Sequence, residues 1–200
     1  IPADKLTVSG GETLHDVAIR TLQSIPGHDA EKFNDLARLI KAGRNRTSAI
    51  RAISAIPQQH WAANQLHPVA DNLVAYLSEI PAKYRTGPAA TGATALAKTL
   101  AGKLPPKQAA AIQSRLANLD VRVIAIGTVP ARMLYDKETI VVQAGKPVEF
   151  RFSNSDHMPH NFAVVQPGSL KTVGELAEAT ARDADAMARD YIPKSDKILL

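Results

Sequence analysis

Two histidines, His157 and His160, stand in the run Asn154-Ser155-Asp156-His157-Met158-Pro159-His160-Asn161-Phe162-Ala163-Val164-Val165. A polar turn carries His160 straight into an apolar stretch of β character. Imidazole is a ligand for copper, zinc and nickel, and it must be neutral to bind them. His157, three residues earlier on the turn, can join His160 in loose Cu²⁺, Ni²⁺ or Zn²⁺ binding, although plain exposure is its simpler reading. Met158 offers a soft thioether, but its place on the turn predicts packing against an apolar rim. The chain has no cysteine. Within these 200 residues that excludes disulfides, thiolate metal ligands and cysteine nucleophiles.

The remaining chemistry-bearing residues do not assemble by spacing. His15, His28, His60 and His67 show no zinc pattern with further ligands. Glu175, Glu178, Asp183 and Asp185 fall at exposed helical spacings without partners for acid–base work. No Gly-x-Ser-x-Gly elbow, phosphate loop or dinucleotide fingerprint occurs, so the chain is not expected to be an enzyme. The net charge is +5, and Lys41, Arg44, Arg46 and Arg51 gather around one turn. No aromatic side chains interleave with them, so they read as a solvated loop and nucleic acid is not an expected partner. No apolar run reaches the length of a membrane span. The start, Ile1-Pro2-Ala3-Asp4, reads as a processed or excised one.

Helices are predicted over residues 1–118. The block Ala18-Ile19-Arg20-Thr21-Leu22-Gln23-Ser24-Ile25-Pro26 recurs as Ala49-Ile50-Arg51-Ala52-Ile53-Ser54-Ala55-Ile56-Pro57, with weaker echoes ending at Pro81 and Pro105. Each block is amphipathic and stops at or before a proline, which cannot continue the helical ladder. A further helix spans Asp29 to Ala42, with Phe33, Leu36, Ala37, Leu39 and Ile40 as its apolar stripe and Gly43 as C-cap. Paired helices repeating at this interval point to a HEAT-like helical stack, with a plain bundle as the alternative. Ile19, Leu22 and Ile25 are expected to match Ile50, Ile53 and Ile56 on one shared core. Trp61 and Tyr76 are expected to pack there too.

Near Asp120 the period changes to that of strands, which sets a second domain at residues 119–200. Val121 to Ile126 reads as a strand buried on both faces. Thr139-Ile140-Val141-Val142 reads as a second strand, followed by the turn Ala144-Gly145-Lys146-Pro147. Val148 to Phe152 alternates as a third, and Phe162 to Val165 reads as a fourth. Ser169 is expected to cap a helix from about Leu170 to Asp190. Lys197-Ile198-Leu199-Leu200 has the pattern of a fifth strand cut short.

From Val121 to Leu200 the chain resembles the azurin-like cupredoxins, the small blue-copper proteins. The resemblance rests on Ile140-Val141-Val142-Gln143-Ala144-Gly145-Lys146-Pro147-Val148-Glu149-Phe150, on Asn154, on Met158-Pro159-His160-Asn161-Phe162, and on the helical insertion ending in Arg189-Asp190-Tyr191-Ile192-Pro193. It implies an α+β chain in which a HEAT-like helical region precedes a partial cupredoxin Greek-key β-sandwich with an inserted helix. It further implies copper as cofactor, with His160 as the first imidazole ligand, the Pro159 backbone carbonyl as a weak axial oxygen, and Asn161 bracing the ligand loops. The family's Cys, second His and Met are not matched within the chain, so the copper site and the module are expected to be incomplete. The implied function is single-electron transfer to a redox partner, such as a cytochrome c or a sugar-dehydrogenase-like domain of the same parent chain, in the periplasm or another extracytoplasmic space of a bacterium. Two other readings remain open: a structural or interaction scaffold whose cupredoxin-like half holds no copper, and a small-molecule or metal-binding enzyme domain.

Overall fold

The computed structural model describes residues 12–200. The described residues form seven α-helices and one sheet of two parallel strands. The chain divides into two compact units. One runs to Arg122 and takes in Ala144–Pro147; the other comprises Val123–Gln143 and Val148–Leu200. No described helix is long and apolar enough to cross a membrane.

The first unit holds α1 (Leu14–Gln23), α2 (Asp29–Lys41), α3 (Arg46–Ala55), α4 (Ala63–Glu79), α5 (Pro88–Ala101) and α6 (Pro106–Leu119). Their ends follow local chemistry. Thr13 and Asp16 close a capping box at the start of α1, satisfying amides that the helix leaves unpaired. Pro88 and Pro106 stand at the first positions of α5 and α6, where the missing N–H has no intrahelical partner to lose. Beyond α2, Gly43 takes φ 71° and its N–H donates to the Ile40 carbonyl at 3.1 Å. A β-carbon there would strain the backbone and press on the Arg46 guanidinium at 3.3 Å.

The odd-numbered helices α1, α3 and α5 pack in succession, and so do α2, α4 and α6; α2 also packs on α3, and α5 on both α4 and α6. One core results, with Phe33, Ile40, Ile53, Leu73, Leu100 and Ile112 almost completely enclosed. Ala37, Ala49, Ala93 and Ala97 are equally buried and let the helix backbones approach closely. Trp61 is buried against Phe33, their rings stacked at 5.6 Å. Its indole N–H donates to the Ile56 carbonyl at 3.0 Å, so the polar edge of the ring is satisfied inside the core. Tyr76 packs against the same core, and the Arg46 guanidinium lies 4.8 Å above its ring.

The expected match between the two nine-residue blocks holds only in part. Ile50, Ile53 and Ile56 are buried, as is Ile19, but Ile25 is 49% exposed. Ile25 lies beyond the end of α1 at Gln23, where its carbonyl accepts from the Lys32 ammonium of α2 while its side chain faces outwards. Asp16 anchors α1. Its carboxylate accepts from the Thr13 hydroxyl at 2.6 Å, from Ser48 at 2.7 Å and from Asn45 at 3.0 Å. The Thr13 bond, with those of Ser48 and Asn45, outweighs burial and holds the Asp16 carboxyl far below the usual carboxylate range.

The second unit corrects the sequence reading most. It contains β1 (Arg122–Gly127, its first residue assigned to the other unit), β2 (Val148–Ser153) and α7 (Leu170–Thr180). It is not a Greek-key β-sandwich. Strand β1 buries only Ile124 and Ile126, so one face of it is covered, not two. Thr139–Val142 forms no strand, and Val141 is 73% exposed; strand propensity is context-dependent and does not by itself make a strand. The stretches 162–165 and 197–200 meet through one antiparallel bridge, Val165 to Ile198, with the Val164 amide donating to the Leu200 carbonyl at 2.9 Å. That contact is too short to be a strand of a sheet. The inserted helix ends at Thr180 rather than near Asp190, and Met187–Arg189 forms a separate 3-10 turn. Ser169 occupies the N-cap position of α7 but makes no side-chain cap. Without a second sheet the unit closes around aromatic rings: Phe162 stacks on Phe152 at 6.0 Å and meets Tyr135 edge-on at 5.7 Å.

Two outcomes test this packing. Replacing Ile53 by Ala should cost about 2–4 kcal/mol in urea unfolding, from lost transfer energy plus a cavity, whereas Ile25→Ala should cost well under half as much. For Asp16 the folded pKa lies below the unfolded value of about 3.9. Its stabilisation is therefore complete above that value and is lost as pH falls through the folded pKa. Thermal melts at pH 7 and pH 3 should show a smaller acid loss in Asp16→Asn than in the parent chain.

Candidate metal-ligand site around His160

The loop that follows β2 is built on side-chain hydrogen bonds to its own backbone. The Asn154 carboxamide oxygen accepts from the Asp156 amide at 2.9 Å and from the Thr128 hydroxyl at 3.1 Å; its NH₂ donates to the Met158 carbonyl at 2.8 Å. The Ser155 amide donates to the Thr128 oxygen at 3.1 Å. Asn154 thus closes the turn on itself, the competence that places Asn in turns rather than in ladders.

At the centre of this turn Asp156 meets His160. The Asp156 Oδ2 lies 3.2 Å from the His160 Nε2, and the two side chains are only 4% and 6% exposed. A carboxylate so enclosed requires donors. The His157 amide supplies one at 2.7 Å and the Ala131 amide another at 3.0 Å. Ala131 reaches it from a left-handed conformation, φ 57°, which is strained for a residue with a β-carbon. Burial pushes the Asp156 carboxyl up. The hydrogen bond with His160 and those from the His157, Met158 and Ala131 amides outweigh it, and the carboxyl lies below its ordinary range. The anion accepts from Nε2–H, and Nδ1 has no protein partner among the described residues.

The other predicted residues are distributed differently. Pro159 is exposed, and its carbonyl is not committed to a bond within the described protein. His157 is exposed and contributes its backbone amide, not its ring, to the Asp156 cage. Met158 is 40% exposed rather than packed. Asn161 is held at both ends: its carbonyl accepts from the Tyr135 hydroxyl at 2.7 Å, and its NH₂ donates to the Asp190 carbonyl at 2.7 Å. Burial pushes the Tyr135 phenol up, which keeps it a donor. Spacing does not mark Asp156 as a partner of His160, although Asn154-x-Asp156 is an Asx-turn pattern. Ala131, Tyr135 and Asp190 carry no sequence signal towards His160.

Copper can be tested against this donor set. No group of three or more His, Cys, Asp or Glu side chains among the described residues is placed to hold a metal ion. What the structure offers is a single oriented imidazole whose second nitrogen is bonded to a carboxylate, the arrangement by which ligating histidines are fixed. It fits one position of a metal site. Compared with protein families, with curated proteins and with solved structures, the chain matches none.

The hydrogen bond fixes an observable. In ¹⁵N–¹H correlation spectra, His160 should show an Nε2–H bonded to a carboxylate. Asp156→Ala should remove that bond and shift the His160 ring nitrogens, whereas Asp156→Asn should shift them less; unchanged ring nitrogens in Asp156→Ala would show that the pair does not form.

Proposed function

We propose that the second unit presents His160 as one imidazole ligand of a copper site that serves single-electron transfer, with the helical unit as its scaffold. The buried pair of Asp156 and His160, with Nδ1 left open, supports this reading most directly. His160 would bind copper through Nδ1; Pro159 has a free carbonyl beside it, and Asn161 restrains the loop. Copper, when bound, supplies the one-electron couple. The chain's own residues fix the ring against rotation, keep Nε2 engaged and hold the turn rigid, so that little reorganises when charge moves. The thiolate of a blue-copper site would have to come from outside these 200 residues, since the chain has no cysteine. A redox protein or a domain of a longer parent chain is the expected partner.

Copper titration of the 200-residue protein tests the proposal. Cu²⁺ should bind weakly and without colour, because the intense absorption of blue copper arises from thiolate-to-copper charge transfer. It should broaden His160 ring signals at the lowest metal levels, and binding should weaken as the imidazole is protonated. His160→Ala should abolish that early broadening, and His157→Ala should leave it in place. Broadening centred on His157, with His160 untouched, would refute the assignment.

A further inference from the structure

Arg189 lies 29 residues beyond His160 in sequence, yet the structure links it to the His160 loop. Its Nη2 donates to Asp183 Oδ2 and to Asp185 Oδ1, each at 2.8 Å. The side chain is 21% exposed, and its Nε is buried without a hydrogen-bond partner among the described residues. A guanidinium held in place with an unpaired buried N–H is fixed by its other contacts. Directly after it come Asp190 at φ 50° and Tyr191 at φ 58°. Two consecutive residues with β-carbons in the left-handed region are strained, and such a turn persists only where its surroundings impose it.

The surroundings are identifiable. The 3-10 turn Met187–Arg189 precedes the strained pair, and the Tyr191 amide folds back onto the carbonyl of buried Ala186 at 2.8 Å. The Arg189 ion pairs tie this turn to residues 183–185. The product of that geometry is the direction of one carbonyl: Asp190 aims its oxygen at the Asn161 NH₂, 2.7 Å away. Asn161 is the residue next to His160.

We propose that Arg189 is a positioning residue for the His160 imidazole, acting through the left-handed Asp190–Tyr191 pair and Asn161. The assignment rests on His160 being the ligand, but its first readout needs no metal. Arg189→Gln and Asn161→Ala, made in the full 200-residue protein, should keep the parent's circular dichroism spectrum. Each should shift the metal-free ¹⁵N–¹H resonances of the His160 ring, and the double variant should shift them no further than the larger single change, because both cut one chain of contacts. Asn161→Ala, which changes no charge, should also weaken Cu²⁺ binding at His160 by about tenfold. Unchanged His160 ring resonances in Arg189→Gln would overturn the proposal, and so would fully additive shifts. If Arg189→Gln lowers folding cooperativity, Arg189→Lys, which keeps the charge but loses the guanidinium fork, decides the matter by the same ring resonances. A parent chain that shows the ring shifts but never binds Cu²⁺ at His160 would sink the ligand reading and leave the positioning role standing.

Discussion

A carboxylate almost sealed from solvent has to be surrounded by donors, and the loops of the second unit are arranged to meet that demand at Asp156. Its oxygens take the His157 and Ala131 amides and the His160 imidazole. Each of these comes from a different conformational compromise: a tight Asx turn at Asn154, a left-handed alanine at position 131, and a histidine folded back four residues along the chain. The desolvation of a charge is costly enough to justify all three. The imidazole orientation is therefore a by-product of satisfying the anion, and so is the freedom of Nδ1.

The helical unit reaches its order by another route. Its interior is apolar and continuous, from Ile19 and Phe33 through Leu73 to Leu116, and small residues at the helix contacts bring the backbones together. Stability there is a matter of area and packing. Polar groups add two ties: Asp16 joins the start of α1 to the start of α3, and the buried Lys32 donates its ammonium to the Ile25 carbonyl. The basic cluster seen in the sequence is partly consumed by the same packing: Lys41 donates to Gln65 at 2.7 Å, and Arg46 covers Tyr76.

The second unit has far less apolar interior. Ile124, Ile126, Val173 and Ala186 are its buried hydrophobic residues. The aromatic group of Tyr135, Phe150, Phe152 and Phe162 is only half enclosed, while Met133, Val141, Leu170 and Met187 are more than 70% exposed. With so little burial, local hydrogen bonds carry a larger share of the order. The site loop, the Asn161 bracket and the Arg189 turn are all polar constructions.

Much of the first unit was legible in the sequence, because helix periodicity, prolines and caps are local signals that agree with one another. The α2 stripe of Phe33, Leu36, Ala37 and Ile40 and the glycine at position 43 needed no tertiary knowledge, and neither did β2, whose alternation is strict. The Greek-key sandwich was not in the sequence to be read. Val141 and Val142 have strand propensity, but whether such a run joins a ladder is decided by residues far away in the chain. His160 was identifiable by type and by the polar turn before it. Its burial against Asp156 and the tie of the neighbouring Asn161 to Asp190 were decided only in three dimensions, because they depend on where Ala131, Tyr135 and the 187–191 turn come to lie, and those positions are set by contacts between residues far apart in the chain.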